Sequence, residues 1–276
     1  MAKRQENEPN PKALVVGLLG LIGAGALITL LLFWNLGHTA PPEPPTEETL
    51  PAPPANPYVQ TDFYINDGFV QCSATEAKTG IDVSSHQEEI DWQAVASSGV
   101  EYAMIRVGYR GYDQGGLHID PYAEANLQGA LDAGLSVGVY FYSQAISVEE
   151  AREEAEMLLN FIRGWDITYP VVFDWEWVGA DARTAEVSSR TVTDCTLEFC
   201  RMVEEAGYTP AFYFNQDLAQ NTFHLRELQK YDFWLAQYQE AMTFAYDVDM
   251  WQYSCTGQIP GITGDVDLNL CFKSYG

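Results

Sequence analysis

The stretch Tyr169-Pro170-Val171-Val172-Phe173-Asp174-Trp175-Glu176-Trp177 decides the fold. A β-branched apolar run that begins at a proline and ends in acids and indoles reads as a buried parallel strand. Side chains alternate along a strand, so Asp174 and Glu176 share one face while Phe173, Trp175 and Trp177 take the other. Two residues of rise separate the two acidic Cα atoms by about 6.5 Å. Carboxylates paired at one strand end, walled by indoles, can have their proton affinities driven apart. One then stays protonated as a general acid while its neighbour stays ionised. On this stretch alone a second reading is equally good, in which Asp174 caps a helix and Glu176 is a solvated loop acid.

Working outward, strands and helices alternate. Strand-like runs fall at 80–84, 102–108, 136–143, 170–176 and 210–215, with helical patterns at 91–98, 121–133, 148–163 and 183–206. Gly134 and Gly207 stand where helix C-caps belong. Three further short strands, 233–238, 249–253 and 265–272, follow with little helix between them. This is the βαβ rhythm of a parallel barrel, left incomplete by bare strands in its second half.

Such barrels keep their chemistry at strand ends. Those ends carry Asp82, Arg106, Tyr109, Tyr140, Tyr142, Asp174, Glu176, Tyr213, Asn215, Gln237, Tyr238, Gln252 and Asp267. Carboxylates and aromatics converge there and lysine is nearly absent, which suits a carbohydrate better than a phosphate. Aromatic faces stack on sugar rings, and carboxylates bind hydroxyls or move protons.

Seven ordered motifs resemble those of the family 25 glycoside hydrolases, the N-acetylmuramidase lysozymes. They are Gly80-Ile-Asp-Val-Ser-Ser-His-Gln87 with Ile90-Asp-Trp92, Ile105-Arg-Val-Gly108, Gly138-Val-Tyr-Phe-Tyr-Ser143, Phe173-Asp-Trp-Glu176, Trp234-Leu-Ala-Gln-Tyr238, Trp251-Gln-Tyr253 and Val266-Asp-Leu-Asn269. The resemblance covers residues 80–276 and implies an irregular TIM-like α/β barrel, (β/α)5 followed by three strands. It also implies cleavage of the β-1,4 bond after N-acetylmuramic acid in peptidoglycan, usually with retention. Glu176 would be the acid, with Asp174, Asp82 and Asp267 as the surrounding acidic cluster. Arg106, Tyr109, Tyr140, Tyr142, Tyr213, Gln237, Tyr238 and Trp251 are the candidate substrate contacts. The nucleophile stays open between the sugar's 2-acetamido group and a carboxylate, which needs the two carboxyl groups about 5–5.5 Å apart. A catalytically weak wall-binding scaffold that kept the cleft is the alternative.

The rest of the chain places this domain. Residues 13–34 run without a charge, long enough to span a bilayer core. Lys3, Arg4 and Lys12 precede the run and no Lys or Arg follows until Lys78, so the tail 1–12 is expected in the cytoplasm and the rest outside. A cleaved signal peptide competes, but its apolar core would be shorter, and Pro41 and Pro42 follow the candidate site at Ala40. Residues 35–60 form a Pro-rich extracellular linker, 61–78 a hairpin lead-in turning at Asn66-Asp67-Gly68, and 79–276 the catalytic domain.

A net charge of −25 excludes nucleic acid as a partner. The histidines at 38, 86, 118 and 224 lack ligand spacing and no glycine-rich phosphate loop exists, so neither metal nor cofactor is expected. Five cysteines are present, an odd number that leaves at least one unpaired; Cys195 and Cys200 point to different faces of one helix, whereas Cys255 and Cys271 flank neighbouring strands and are close enough in the pattern to pair.

Overall fold

The computed structural model describes residues 50–275. The expected tail, apolar run and most of the linker lie outside the described residues. Among the described residues, no helix is long and apolar enough to cross a membrane.

Strands β1 (Phe63–Asn66) and β2 (Phe69–Cys72) form the expected hairpin. Asp67 and Gly68 turn it with φ of 49° and 87°, the left-handed pair that matches strand twist in a two-residue turn. The chain continues through β3 (Lys78–Val83), α1 (Trp92–Ser97), β4 (Tyr102–Arg110), β5 (Leu117–Ile119), α2 (Ala123–Asp132), β6 (Ser136–Ser143) and α3 (Val148–Phe161). Then come β7 (Val171–Trp175), α4 (Ser189–Glu205), β8 (Pro210–Asn215), α5 (Gln216–Asn221), α6 (Leu225–Leu228), β9 (Asp232–Ala236), β10 (Met250–Gly257) and β11 (Val266–Cys271).

Helix starts follow side-chain caps. Asp91, Ser147 and Ser188 accept from the backbone N–H groups of Ala94, Glu150 and Thr191. The cap at Ser188 explains why α4 begins at Ser189 and not at 183 as the periodicity suggested. Asn215, read as a strand-end candidate, caps α5 by accepting from Leu218 N–H.

The barrel closes, and its last strands follow one another without helices between them as expected. Strands β3, β4, β6, β7, β8, β9 and β10 pair in parallel, β11 runs antiparallel between β10 and β3, and the β3–β4 pairing completes a ring of eight. Alternation splits the core in two. Outward residues such as Ile105, Val139, Phe173, Phe212 and Leu235 pack with the helices. Inward residues Tyr102, Met104, Val172, Ala211, Met250 and Cys271 fill the barrel. Tyr102 stacks on Tyr169 with centroids 4.5 Å apart, and a Cβ on Gly80 would lie 2.2 Å from the Tyr102 ring, so only glycine leaves room there.

Among the described residues, the β1–β2 hairpin packs on β10 and β11. Phe63 meets Trp251 edge-on at 5.2 Å, and Val70 N–H donates to the Tyr253 hydroxyl. The lead-in is therefore part of the core. Residues 50–57, expected as free linker, also lie on the domain. Asn56 and Asp247 donate backbone N–H groups to Ala245 and Pro54 carbonyls, and Arg226 donates to Leu50 O at 2.6 Å. Extended Pro-rich chain has unused carbonyls, and these find donors here.

Cys255 and Cys271 do not pair. Cys271 sits opposite Met250 in the β10–β11 register, leaving Cys255 five residues along, about 17 Å away at strand rise. All five cysteines are free thiols, and only Cys255 is exposed.

Candidate active site

Strand register assembles the site at the C-terminal ends of the parallel strands. Tyr142 stands beside Asp174, Asp174 beside Tyr213, and Tyr213 beside Trp234. Across the ring, antiparallel β11 sets Asp267 directly opposite Asp82. These residues, with Glu176, Arg106, Tyr140, Tyr238 and Gln252, line a cavity of about 250 Å³. Parity does what the sequence suggested for β7: Asp174 faces the cavity, while Phe173 and Trp175 enter the outer core.

The acids differ in their partners. Asp82 Oδ2 accepts from Gln252 Nε2 at 2.8 Å and from Asn269 Nδ2 at 2.7 Å. Tyr213 and Tyr238 hydroxyls both donate to Gln252 Oε1, at 2.7 and 3.1 Å, so the Gln252 amide must present its NH₂ to Asp82. Trp234 Nε1 donates to Asn269 Oδ1 and orients the second amide the same way. Asp174 Oδ1, in contrast, is buried without a hydrogen-bond partner among the described residues.

Cations are scarce. Among the described residues, Arg106 is the one Lys or Arg lining the cavity, and its Nε already donates to Asp120 Oδ2 at 2.8 Å while Nη2 donates to Ser85 Oγ. Four carboxyls therefore face a single guanidinium whose charge is largely balanced elsewhere. Burial is the main cause that lifts each of them. Asp82 rises only to about 6, because the Asn269 and Gln252 amides favour its ionised form. Burial, then the charges of Asp82 and Glu176, push Asp267 up to about 8. Asp174 is driven well above the carboxylate range by burial, then by Glu176 and Asp82. Glu176 is raised by burial and by Asp82. Asp82 is thus the acid whose charged form is hydrogen-bonded, while burial lifts all four carboxyls around the cavity.

The segment bearing Glu176 is clamped from behind. Fully buried Gln144 donates Nε2 to the Glu176 carbonyl at 2.7 Å and accepts the Thr184 hydroxyl on Oε1 at 3.0 Å. Arg183 donates to Gln144 O and to both carboxylate oxygens of Glu150. Trp175 Nε1 donates to Ala145 O, tying the strand end to the same loop.

Of the expected set, Asp82, Asp174, Glu176, Asp267, Arg106, Tyr140, Tyr142, Tyr213 and Tyr238 are brought together. Three substrate-contact expectations are corrected. Trp251 is fully buried in the outer core and donates to Gln237 O, since Gln252 beside it points inward. Tyr109 does not line the cavity; it stacks on His118 at 5.0 Å, with the Arg106 guanidinium 5.3 Å from its ring. Gln237 is spent on Gln216 and Thr243. The indole wall is also different: Trp177 is 57% exposed, and Trp234 is the indole lining the cavity. Trp234 and Asn269 stood in quoted motifs without a role, and Gln144 had no sequence signal.

A family model described as Glycosyl hydrolases family 25 matches residues 81–262. The chain is 28% identical over 204 residues to the uncharacterized protein YegX of Escherichia coli, covering 69% of this chain and 68% of YegX. It is 26% identical over 276 residues to lysozyme M1 of Streptomyces globisporus, covering 92% of this chain and 89% of that one. Among solved structures it superimposes on the modular autolysin LytC of Streptococcus pneumoniae, solved with a synthetic peptidoglycan ligand. The TM-score there is 0.62 at 26% identity, over 71% of this chain and 46% of LytC, so the chain spans about half of that protein's length.

Proposed function

The chain belongs to glycosyl hydrolases family 25, and from that premise we propose that it is a muramidase whose general acid is Glu176. Its substrate is peptidoglycan, and the bond cleaved is the β-1,4 link between N-acetylmuramic acid and N-acetylglucosamine. One observation carries the assignment: buried acids crowd a cavity whose single arginine is already engaged by Asp120. Burial and the nearby Asp82 raise the proton affinity of Glu176, which suits it to pass a proton to the departing glycosidic oxygen. Positive charge then grows at the anomeric carbon, and ionised Asp82 supplies the opposing field without reorganising, because two amides already fix it. Water completes hydrolysis, and the Glu176 carboxylate recovers a proton from it. Retention requires an intermediate, formed either by the substrate's 2-acetamido oxygen or by a carboxylate.

The test is digestion of purified peptidoglycan followed by borohydride reduction and mass spectrometry. New ends that carry reduced muramic acid support the proposal. Wall binding without release of fragments would favour a scaffold instead.

The proposal extends to location. The uncharged run 13–34, with Lys3, Arg4 and Lys12 before it, supports an N-terminus in the cytoplasm and the enzyme outside the cell membrane. Protease added to wall-stripped intact cells should release a soluble domain. Full-length protein recovered only from the medium contradicts the anchor.

A further inference from the structure

A second groove, of about 570 Å³, adjoins the catalytic cavity, and Tyr238 lines both. Its walls are the β1–β2 hairpin, residues 238–240 and the β10–β11 turn. The hairpin precedes residue 81, so this wall stands outside the segment that the family model matches. We propose that this groove holds further sugar units of the glycan strand being cut, and that the hairpin extends the substrate site beyond the catalytic barrel. The proposal rests on the muramidase reading above.

Three features point to this occupant. The first is Tyr238, whose ring is 55% exposed while its hydroxyl is anchored on Gln252, giving a fixed aromatic face at the junction of cavity and groove. A side chain apolar in body and tethered at its polar tip is a ready stacking platform for a sugar ring. The second is charge. None of the residues lining the groove is Lys, Arg or His, and Asp67 and Glu240 are among them. A lining without cations offers nothing to a stem-peptide carboxylate, whereas the N-acetylglucosamine units of the strand carry no charge. The third is the mixture of Thr256, Gln258 and Ser254 with exposed Ile65, a set of hydroxyl and amide groups beside one apolar face. That mixture matches a sugar, which has hydroxyl edges and a C–H face.

The groove also has a reason to exist where it does. A strand threading the cavity must leave past the rim, and Tyr238 marks an exit where the wall is hairpin rather than helix. Ile65 is 55% exposed at the hairpin tip, while Phe63, Phe69 and Val70 anchor the hairpin in the core. Side chains in the groove can thus be changed without disturbing the packing below.

The experiment compares kcat/KM on peptide-free glycan oligomers of two lengths, one that fills only the cavity and one long enough to enter the groove. The full chain and its Ile65→Ser/Thr256→Ala variant are assayed on both. The unmodified enzyme should favour the longer oligomer. The variant should lose about tenfold on the longer one, as expected for one apolar contact and one hydrogen bond, and match the parent on the shorter. Equal effects on both lengths, or none on either, overturn the groove while leaving the muramidase reading intact. A length preference that appears only when stem peptides are attached also overturns it, in favour of a peptide site. If neither oligomer is cleaved by the parent, the muramidase reading falls and the groove falls with it.

Discussion

The protein holds two groups of buried or half-buried acids and supplies them with cations to different degrees. Behind the barrel wall, Glu154 and Glu150 meet Arg110 and Arg183. Arg110 Nε lies 2.7 Å from Glu154, and Arg183 Nη2 lies 2.6 Å from Glu150. Glu150 feels burial upward, but the Arg183 hydrogen bond and the nearby guanidinium charges outweigh it and hold its carboxyl below the usual range. Inside the barrel, Asp82, Asp174, Glu176 and Asp267 share one arginine that Asp120 has already taken. In the first group Glu150 is held charged, whereas burial still pushes Glu154 up to about 7 against its Arg110 hydrogen bond, and the arginines hold loops in place. In the second, burial and mutual repulsion raise the proton affinity of every carboxyl, a condition useful to catalysis and costly to the fold.

The sharpest way to break this contrast is Glu176→Gln. It keeps shape and hydrogen bonding but removes the transferable proton, so turnover on purified wall should fall by about 10²–10⁴-fold while wall binding survives. Near-normal activity would place the acid elsewhere in the cluster. Asp82→Asn comes next. It removes the fixed negative charge that faces the developing cation, and about 10²-fold should be lost from kcat. The same substitution should move the alkaline limb of the pH profile to lower pH, since Asp82 is one cause of the raised Glu176. A limb that stays put would detach Asp82 from the acid.

The remaining two predictions concern stability and should have opposite signs. Arg110→Met leaves Glu154, which is fully buried, without its cation and should cost about 3–5 kcal/mol in denaturant unfolding. Asp174→Asn should do the reverse. A carboxyl whose folded pKa lies above its unfolded one contributes its stability below the unfolded pKa and loses it as pH rises through the folded value. At neutral pH Asp174 therefore costs stability, and asparagine removes that cost. A gain of 1 kcal/mol raises Tm by about 2–4 °C in a domain of this size, and the gain should vanish below the ordinary aspartate range. If Asp174→Asn instead lowers Tm at neutral pH, the cluster is not the unbalanced one described here.

The contrast also explains what could be read from the sequence. Period-two alternation around Asp174 fixed which side chains enter the barrel, and the ordered motifs brought nine of the expected site residues to one cavity. Failures came where alternation gives no guidance or was set aside. Trp251 and Gln252 are adjacent in β10, so only one could face inward. Tyr109 stacks on His118, and Gln237 lies beyond the end of β9. Strand adjacency suggested a bond between Cys255 and Cys271, but register along the strands separates them. Gln144 was invisible because its role depends on a backbone carbonyl 32 residues away, which no local pattern encodes. Ring closure depended in the same way on β11 running antiparallel between β10 and β3.

The central claim is that Glu176 is the general acid and that burial and Asp82 raise its proton affinity. It is tested most directly by kcat/KM on a soluble muramyl oligosaccharide as a function of pH, with Glu176→Gln in parallel. The account predicts activity that holds through mildly acidic pH and falls as pH rises through a pKa above the ordinary glutamate value, with that limb absent from the residual rate of Glu176→Gln. An alkaline limb that persists unchanged in Glu176→Gln, or activity that rises through the same range, would contradict it.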